Sequence, residues 1–201
     1  MLVESDISYG INWVARSDNI EDLPALIELA KANNAGNITI LRHKPSPYES
    51  FQVASPSNDQ LGLLLDITRQ TRGISIRVDS AFSGLLCAIN GGPGAFTGCG
   101  AGRRFLALDA EGYFRPCSHV DLREKSSSVS DIWKHSENLA LFRAIPERIE
   151  EPCRSCKNLS GCGGCRAIAF GKEQSFFSGE QDCRFLVLNL NFSMDHSPCC
   201  S

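Results

Sequence analysis

The sequence lacks any segment that would direct a chain to or across a membrane. Its first residues, Met-Leu-Val-Glu-Ser-Asp-Ile-Ser, contain neither the basic region nor the apolar stretch of a signal peptide. No apolar run approaches the roughly 20 residues that a membrane-spanning helix needs. We therefore expect a cytoplasmic protein with no membrane partner.

An excess of positive charge is also missing. The formal net charge is -3, so the sequence does not indicate a basic surface for nucleic acid. Apolar residues make up 42% and charged residues 21% of the chain, which is typical of a globular protein. A chain of 201 residues is long enough for one ordinary core, or for one domain with a small satellite.

Cysteine is nearly absent from the first half of the chain and abundant in the second. Cys87 is the only one before residue 99, and the other nine of the ten follow it. An oxidised, secreted scaffold would need a signal peptide, and the sequence shows none. The distribution therefore favours a reducing compartment in which cysteine binds metal.

The first ninety residues alternate between short apolar strands and amphipathic helices. Ser57 and Gln60 have the spacing of a capping box at the start of the second helix, and Pro24 suits the first turn of the first helix. The strands are predicted at 7–15, 37–41 and 74–78, and the helices at 23–30 and 57–68. This order predicts an α/β unit with parallel strands and helices packed on one face.

Such a unit is incomplete by itself. Three parallel strands with two helices leave both sheet edges open and much of one face uncovered, which isolated domains avoid. We therefore expect the rest of the sheet to come from a missing N-terminal half or from a partner chain.

The second half has fewer regular elements. Alternating apolar residues predict a β-hairpin over 103–109 and 113–116, with its turn at 109–112. An apolar stripe predicts one helix from 129 to about 145, ended by Pro146. A last apolar segment is predicted at 185–192, followed by a disordered tail at 193–201.

Four cysteines within thirteen residues dominate this half: Cys153, Cys156, Cys162 and Cys165. The loops between them are too short for good disulfide geometry, whereas Cys-x-x-Cys turns can place two sulfurs on one metal. One tetrahedral zinc would be cramped, because zinc ribbons separate their two pairs by about 12 or more residues. The spacing of a bacterial ferredoxin is absent.

Further cysteines and short phrases surround this run. The distinctive phrases are Cys99-Gly-Ala-Gly-Arg-Arg-Phe-Leu, Glu-Gly-Tyr-Phe-Arg-Pro-Cys117, Asp131-Ile-Trp133 and Gly-Gly-Cys165-Arg-Ala, with Cys183 beyond them. Together, residues 99–184 resemble the seven-cysteine SPASM domain, the C-terminal extension of radical S-adenosylmethionine (SAM) enzymes that mature peptides. The family usually has three residues between the last two cysteines of the run, and this chain has two.

The resemblance implies two auxiliary four-iron four-sulfur (4Fe–4S) clusters and a peptide or protein substrate. One cluster would be held by Cys153, Cys156, Cys162 and Cys183. The other would be held by Cys99, Cys117 and Cys165, with its fourth position filled by another cysteine or by substrate, or left open. Cys87 is the only upstream candidate. Cys199 and Cys200 are interpreted as uncommitted thiols of the tail.

The first ninety residues resemble the last third of a radical SAM partial barrel. Enzymes of that family bind their reactive cluster through Cys-x3-Cys-x2-Cys, and no cysteine precedes Cys87 here. The resemblance therefore implies that S-adenosylmethionine binds only with the missing N-terminal half, and that this chain is not catalytic alone.

The expected fold is thus α/β. The C-terminal portion of a partial (β/α) barrel, residues 1–90, precedes a small cysteine-rich SPASM domain with a β-hairpin and helices, residues 91–192, and the tail 193–201. A stand-alone iron–sulfur or zinc scaffold that binds a peptide or a partner enzyme is the alternative.

Overall fold

The computed structural model describes residues 7–44, 54–82, 98–156, 159 and 162–180. Four of the ten cysteines lie outside these ranges, as do the predicted last apolar segment and the tail. The four are Cys87, Cys183, Cys199 and Cys200. We refer to residues 7–82 as the sheet region and to residues 98–180 as the cysteine region.

The sheet region has the predicted order of strands and helices. It consists of β1 (Gly10–Ala15), α1 (Leu23–Ala32), β2 (Asn37–Arg42), α2 (Asn58–Gln70) and β3 (Ser75–Val78). The strand β2 lies in the middle of the sheet and pairs in parallel with both neighbours. The parallel α/β prediction is therefore confirmed.

Strand register gives this sheet one apolar face and one mixed face, on which Val14 and Leu41 lie next to polar residues. On the apolar face, Ile38 and Ile40 of β2 are fully buried and share a core with residues of α1 and α2, among them Ile27 and Leu64. On the opposite face, Asn12, Thr39 and Arg77 lie side by side across the three strands. The two helices thus cover only the apolar face.

The capping box predicted at the start of α2 is present. The backbone N–H of Gln60 donates to Ser57 Oγ at 3.3 Å, and the backbone N–H of Ser57 donates to Gln60 Oε1 at 2.8 Å. These two bonds satisfy donors that would otherwise be unpaired at the helix end.

The hairpin of the cysteine region is present but shorter than predicted. Strands β4 (Ala107–Leu108) and β5 (Phe114–Arg115) pair antiparallel. Residues before β4 form a turn instead of a strand, because the N–H groups of Arg103 and Arg104 both donate to Gly100 O, at 3.0 and 2.8 Å.

The prediction of one helix from 129 to 145 is wrong. The segment forms α3 (Val129–His135), α4 (Glu137–Arg143) and α5 (Ile145–Arg148). Ser136 has an extended backbone and its Oγ accepts the N–H of Leu139 at 3.0 Å, so it begins a new helix. Pro146 lies in the first turn of α5, where proline is tolerated, and does not end a helix.

The last described helix is α6 (Arg166–Glu173), which packs into a second core. This core includes Phe142, Ile145 and Ile168, together with the buried thiol of Cys165. In the part of the chain that the structure describes, no helix is both long and apolar enough to cross a membrane.

Candidate metal centre

Six of the seven predicted ligands lie in the described part of the chain, and all six are free cysteines: Cys99, Cys117, Cys153, Cys156, Cys162 and Cys165. None sits in the middle of a helix or strand. Cys117 follows β5, and Cys165 is the residue that precedes α6. Turns and element ends therefore present these thiols, as is common for functional groups on a rigid scaffold.

A chain of tight turns keeps the central cysteines close in space. The N–H of Cys156 donates to Cys153 O at 3.1 Å, that of Leu159 to Cys156 O at 3.0 Å, and that of Cys162 to Leu159 O at 3.2 Å. Gly163 and Gly164 follow with positive φ angles of 72° and 61°. Glycine adopts this left-handed backbone without steric cost, and the chain reverses there between Cys162 and Cys165.

The segment that carries Cys99 packs directly on this turn. A Cβ atom placed on Gly98 would lie 1.9 Å from Cys162 O, so the two backbones are in contact. Any side chain at position 98 would separate them. Gly98 thus allows the distant Cys99 to approach the Cys153–Cys165 segment.

Cys99, Cys117 and Cys165 form one group, which we call the Cys99 group. Burial, with the nearby Cys99 thiol, raises the pKa of Cys165 to about 11. Burial also raises the pKa of Cys117, and Cys99 acts in the same direction. Lys44, near the C-terminal end of β2, opposes both shifts. Cys99 is therefore within electrostatic reach of both other thiols, with a cation beside them.

Cys153 and Cys162, with the turn-bonded Cys156, form a second group, the Cys153 group. Burial raises the pKa of Cys153, and the neighbouring Cys162 adds to the shift. The sulfur of Cys153 accepts the backbone N–H of Glu180 at 3.1 Å, and that of Cys162 accepts the N–H of Gly164 at 3.4 Å. Hydrogen bonds of this kind stabilise a thiolate over a thiol.

The two groups are neighbourhoods of thiols and not closed ligand shells. Within the described ranges, no three His, Cys, Asp or Glu side chains are arranged to hold a metal ion. The predicted ligand Cys183 lies outside those ranges. The donor chemistry nevertheless suits iron–sulfur clusters, because their ligands are thiolates, and the described cysteines are all available as thiols.

Two kinds of curated enzyme are similar in sequence to this chain. No protein-family model matches the chain. It is 32% identical over 91 residues to the AdoMet-dependent heme synthase of Oleidesulfovibrio alaskensis, which covers 44% of this chain and 23% of that protein. It is 25% identical over 184 residues to the PqqA peptide cyclase of Granulibacter bethesdensis, covering 85% of this chain and 48% of that protein. The chain is related to radical SAM enzymes.

The fold agrees with this relationship. Streptococcus suis SuiB bound to its precursor peptide SuiA matches 90% of this chain and 46% of SuiB, with a TM-score of 0.61 and 17% identity. SuiB bound to S-adenosylmethionine matches 88% of this chain, with a TM-score of 0.58 and 16% identity. The chain thus has a mixed α/β fold like that of SuiB, and it spans about a quarter to a half of the length of its curated relatives.

Two adjacent arginines, Arg103 and Arg104, hydrogen-bond to the backbone at Gly98 and Cys99. Arg103 donates to Cys99 O at 2.9 Å, and Arg104 donates to Gly98 O. Adjacent residues of a strand would point in opposite directions, so sequence reasoning allowed only one of them near the site. The turn at residues 102–104 lets both reach the backbone beside Cys99.

Sequence reasoning did not identify three buried or half-buried charged residues that lie near the thiols. Lys44 lies near the Cys99 group, whereas Arg166 and Glu180 lie near Cys153. The only sequence signals were proximity along the chain, since Arg166 directly follows Cys165 and Glu180 precedes Cys183 by three positions.

Proposed function

We propose that this chain is the auxiliary cluster-binding portion of a radical SAM enzyme that modifies a peptide or protein. Residues 1–90 would form part of its barrel, and residues 91–192 its SPASM domain. One observation supports the proposal most. Cys99 acts electrostatically on Cys117 and Cys165, whereas Cys162 acts on Cys153, to which Cys156 is joined by a turn. The described cysteines thus divide as the family resemblance implies.

Each group would hold one 4Fe–4S cluster. Cys153, Cys156 and Cys162 would be joined by Cys183 in one site, and Cys99, Cys117 and Cys165 would form the other, with its fourth position open or filled by Cys87. The described thiols of each set would have to move closer together around a bound cluster. When bound, such clusters accept and release single electrons or bind part of the substrate.

The protein side of this function is to hold thiolates in a buried, positively charged environment. A cysteine must lose its proton to bind iron, and burial of Cys165 opposes that loss. Lys44, Arg42 and Arg166 act in the opposite direction on nearby thiols. The cations thus favour the ionised ligands that a cluster requires, while the apolar core limits access of water.

The two faces of the sheet support the barrel assignment. A parallel sheet normally has both faces covered, yet Asn12 and Arg77 are exposed on the face opposite α1 and α2. A partly polar inner face is what a barrel that encloses a ligand would present. Within the described residues β1 and β3 each have one neighbouring strand, so a further half could extend the sheet. That half would supply the SAM-binding cluster.

A peptide or protein is proposed as the substrate. SuiB is known with its precursor peptide SuiA, and the PqqA peptide cyclases are named for a peptide. The proposal places the protein in a reducing compartment, the cytoplasm, where ten cysteines would remain available for metal.

The first test is the iron, acid-labile sulfide and zinc content of the chain after anaerobic reconstitution. Two 4Fe–4S clusters predict about eight irons and eight sulfides per chain. Cys153→Ala should halve both values, because it removes one ligand set. The matched control Cys200→Ala, in the predicted tail, should leave both unchanged. Near-zero sulfide with one or two bound zinc ions would contradict the proposal and favour a zinc scaffold.

A further inference from the structure

A cluster of three buried charged residues joins the sheet region to the cysteine region. Arg42 is 7% exposed, Arg166 is 2% exposed and Glu180 is 5% exposed. Arg42 comes from the end of β2, Arg166 begins α6, and Glu180 is the last described residue. We call these three residues the buried charge cluster.

Its hydrogen bonds connect the two regions. Arg42 Nη1 donates to Ala81 O at 2.9 Å, and its Nη2 donates to Glu180 Oε1 at 3.1 Å. Arg166 Nη1 donates to two backbone carbonyls, Phe176 O at 2.9 Å and Ser178 O at 2.8 Å. Arg166 is therefore fixed in position by the segment that leads to Glu180.

Part of the cluster has no hydrogen-bond partner in the described part of the chain. Nε and Nη2 of Arg166 are buried and unpaired there, and so is Glu180 Oε2. Leaving charged groups buried without a partner is energetically costly. Two guanidinium groups and one carboxylate also leave one positive charge in excess. The arrangement therefore calls for an anion beside Arg166.

The Nη2 of Arg166, unpaired among the described residues, lies beside the glycine turn between Cys162 and Cys165. A Cβ atom on Gly164 would be 2.5 Å from Arg166 Nη2 and 3.4 Å from Glu180 Cβ. Gly164 donates its N–H to Cys162 Sγ, and Glu180 donates its N–H to Cys153 Sγ. Both side chains also act electrostatically on Cys153, since the charge of Arg166 lowers its pKa and that of Glu180 raises it.

We propose that Arg166 is the buried counter-cation of the cluster held by the Cys153 group, and that Glu180, anchored by Arg42, opposes it and aims an N–H at Cys153 Sγ. This inference rests on the proposed function. Iron–sulfur clusters ligated by thiolates are anionic, and reduction adds a further negative charge. Nearby charges and hydrogen bonds to sulfur therefore set the reduction potential.

The test is an anaerobic redox titration of the reconstituted full chain, followed by electron paramagnetic resonance. Arg166→Gln removes a cation, so one of the two reduction steps should shift to a lower potential. Glu180→Gln removes an anion at nearly constant size, so the same step should shift to a higher potential. The other step should stay in place in both variants.

Arg77→Gln is the matched control, because it makes the same charge change at an exposed position of β3 and should move neither step. Loss of packing alone would not produce opposite shifts in the two variants. Shifts of equal sign, shifts of both steps, or no shift would overturn the inference.

Failure to load iron would have different meanings in the variants and in the unmodified chain. If Arg166→Gln fails to load iron, loading restored by Arg166→Lys would support a need for the charge. Loss in both variants would assign Arg166 to its two carbonyl contacts and overturn the inference. Absence of iron and sulfide from the unmodified chain would instead overturn the proposed function, and this inference with it.

Discussion

The sheet region and the cysteine region bury their interiors with different chemistry. In the sheet region, Ile38, Ile40 and Leu64 are fully buried in a continuous apolar core. In the cysteine region the core is shared with thiols, and Arg166 and Glu180 are buried beside it, with Glu180 paired to Arg42 of the sheet region. Apolar burial is favourable at roughly 25 cal/mol per Å², whereas buried charge is unfavourable unless it is compensated.

The two regions differ in whether their own side chains complete the interior or a bound cluster is needed. The sheet region closes its core with its own side chains. The cysteine region has short helices and a two-residue hairpin pairing. Its interior contains thiols whose pKa is raised by burial and a guanidinium, that of Arg166, with two unpaired nitrogens in the described part of the chain. A bound cluster would remove the thiol protons and supply the missing negative charge, so we expect it to stabilise the second region far more than the first.

The largest expected effect is the loss of metal. Structural metal sites contribute on the order of 10 kcal/mol, so amides of β5 and α6 should exchange roughly a thousandfold or more faster in the metal-free chain. Amides of β2 and α2 should change little, because their protection comes from the apolar core. Hydrogen–deuterium exchange of loaded and metal-free samples measures both. If amide exchange accelerated equally in the two regions, the expected difference in their dependence on metal would be wrong.

A smaller effect is expected from pH, because the thiols must lose protons to bind metal. Cys165 has a pKa of about 11 against an ordinary 9.0, so it keeps its proton up to high pH in the folded, metal-free chain. Metal affinity should therefore rise by about tenfold per pH unit for each proton displaced, and should continue to rise above pH 9. A thiol with the ordinary pKa of 9.0 would be mostly ionised above that pH and would no longer add to the slope.

Cobalt binding between pH 8 and 10, followed by thiolate-to-metal absorbance with a weak chelator present, measures this slope. Cys165→Ala should reduce the slope above pH 9 without abolishing it, because burial also raises the pKa of Cys117 and Cys153. Cys200→Ala should leave the slope unchanged. A slope that levels off at pH 9 in the unmodified chain would show that Cys165 is not held in a buried, protonated state.

The same contrast explains how much could be predicted from sequence. The strands, helices and capping box of the sheet region follow from hydrophobic periodicity and from Ser57 and Gln60, which act through local contacts. The division of cysteines into two sets came from family resemblance, since spacing alone left zinc and iron–sulfur sites open. The break at Ser136 is a local N-cap, which the continuous apolar stripe over 129–145 obscured. The roles of Arg166 and Glu180 depend on contacts between distant segments, and periodicity does not report these.

The smallest effect compares the two helix caps. Ser57 is exposed and accepts one N–H, from Gln60, so Ser57→Ala should lower the free energy of unfolding by about 1 kcal/mol. Ser136 is 5% exposed, accepts the N–H of Leu139 and donates to Glu124 Oε1 at 2.5 Å. Ser136→Ala removes a cap and a buried partner of a carboxylate, so it should cost about 2–3 kcal/mol.

Urea unfolding of the metal-loaded chain measures both caps, with Ser136→Thr as a control that keeps the hydroxyl. Glu124 Oε1 also accepts the N–H of Asn138 at 3.1 Å. Since the backbone of Glu124 pairs with Phe114 of β5, its carboxylate links the hairpin to the start of α4. Because Ser136 is buried and Ser57 is exposed, the hydroxyl of Ser136 should contribute more to stability than that of Ser57. Equal costs for the two serines would mean that water replaces the lost contact to Glu124, and that this part of the cysteine region is wetter than its burial indicates.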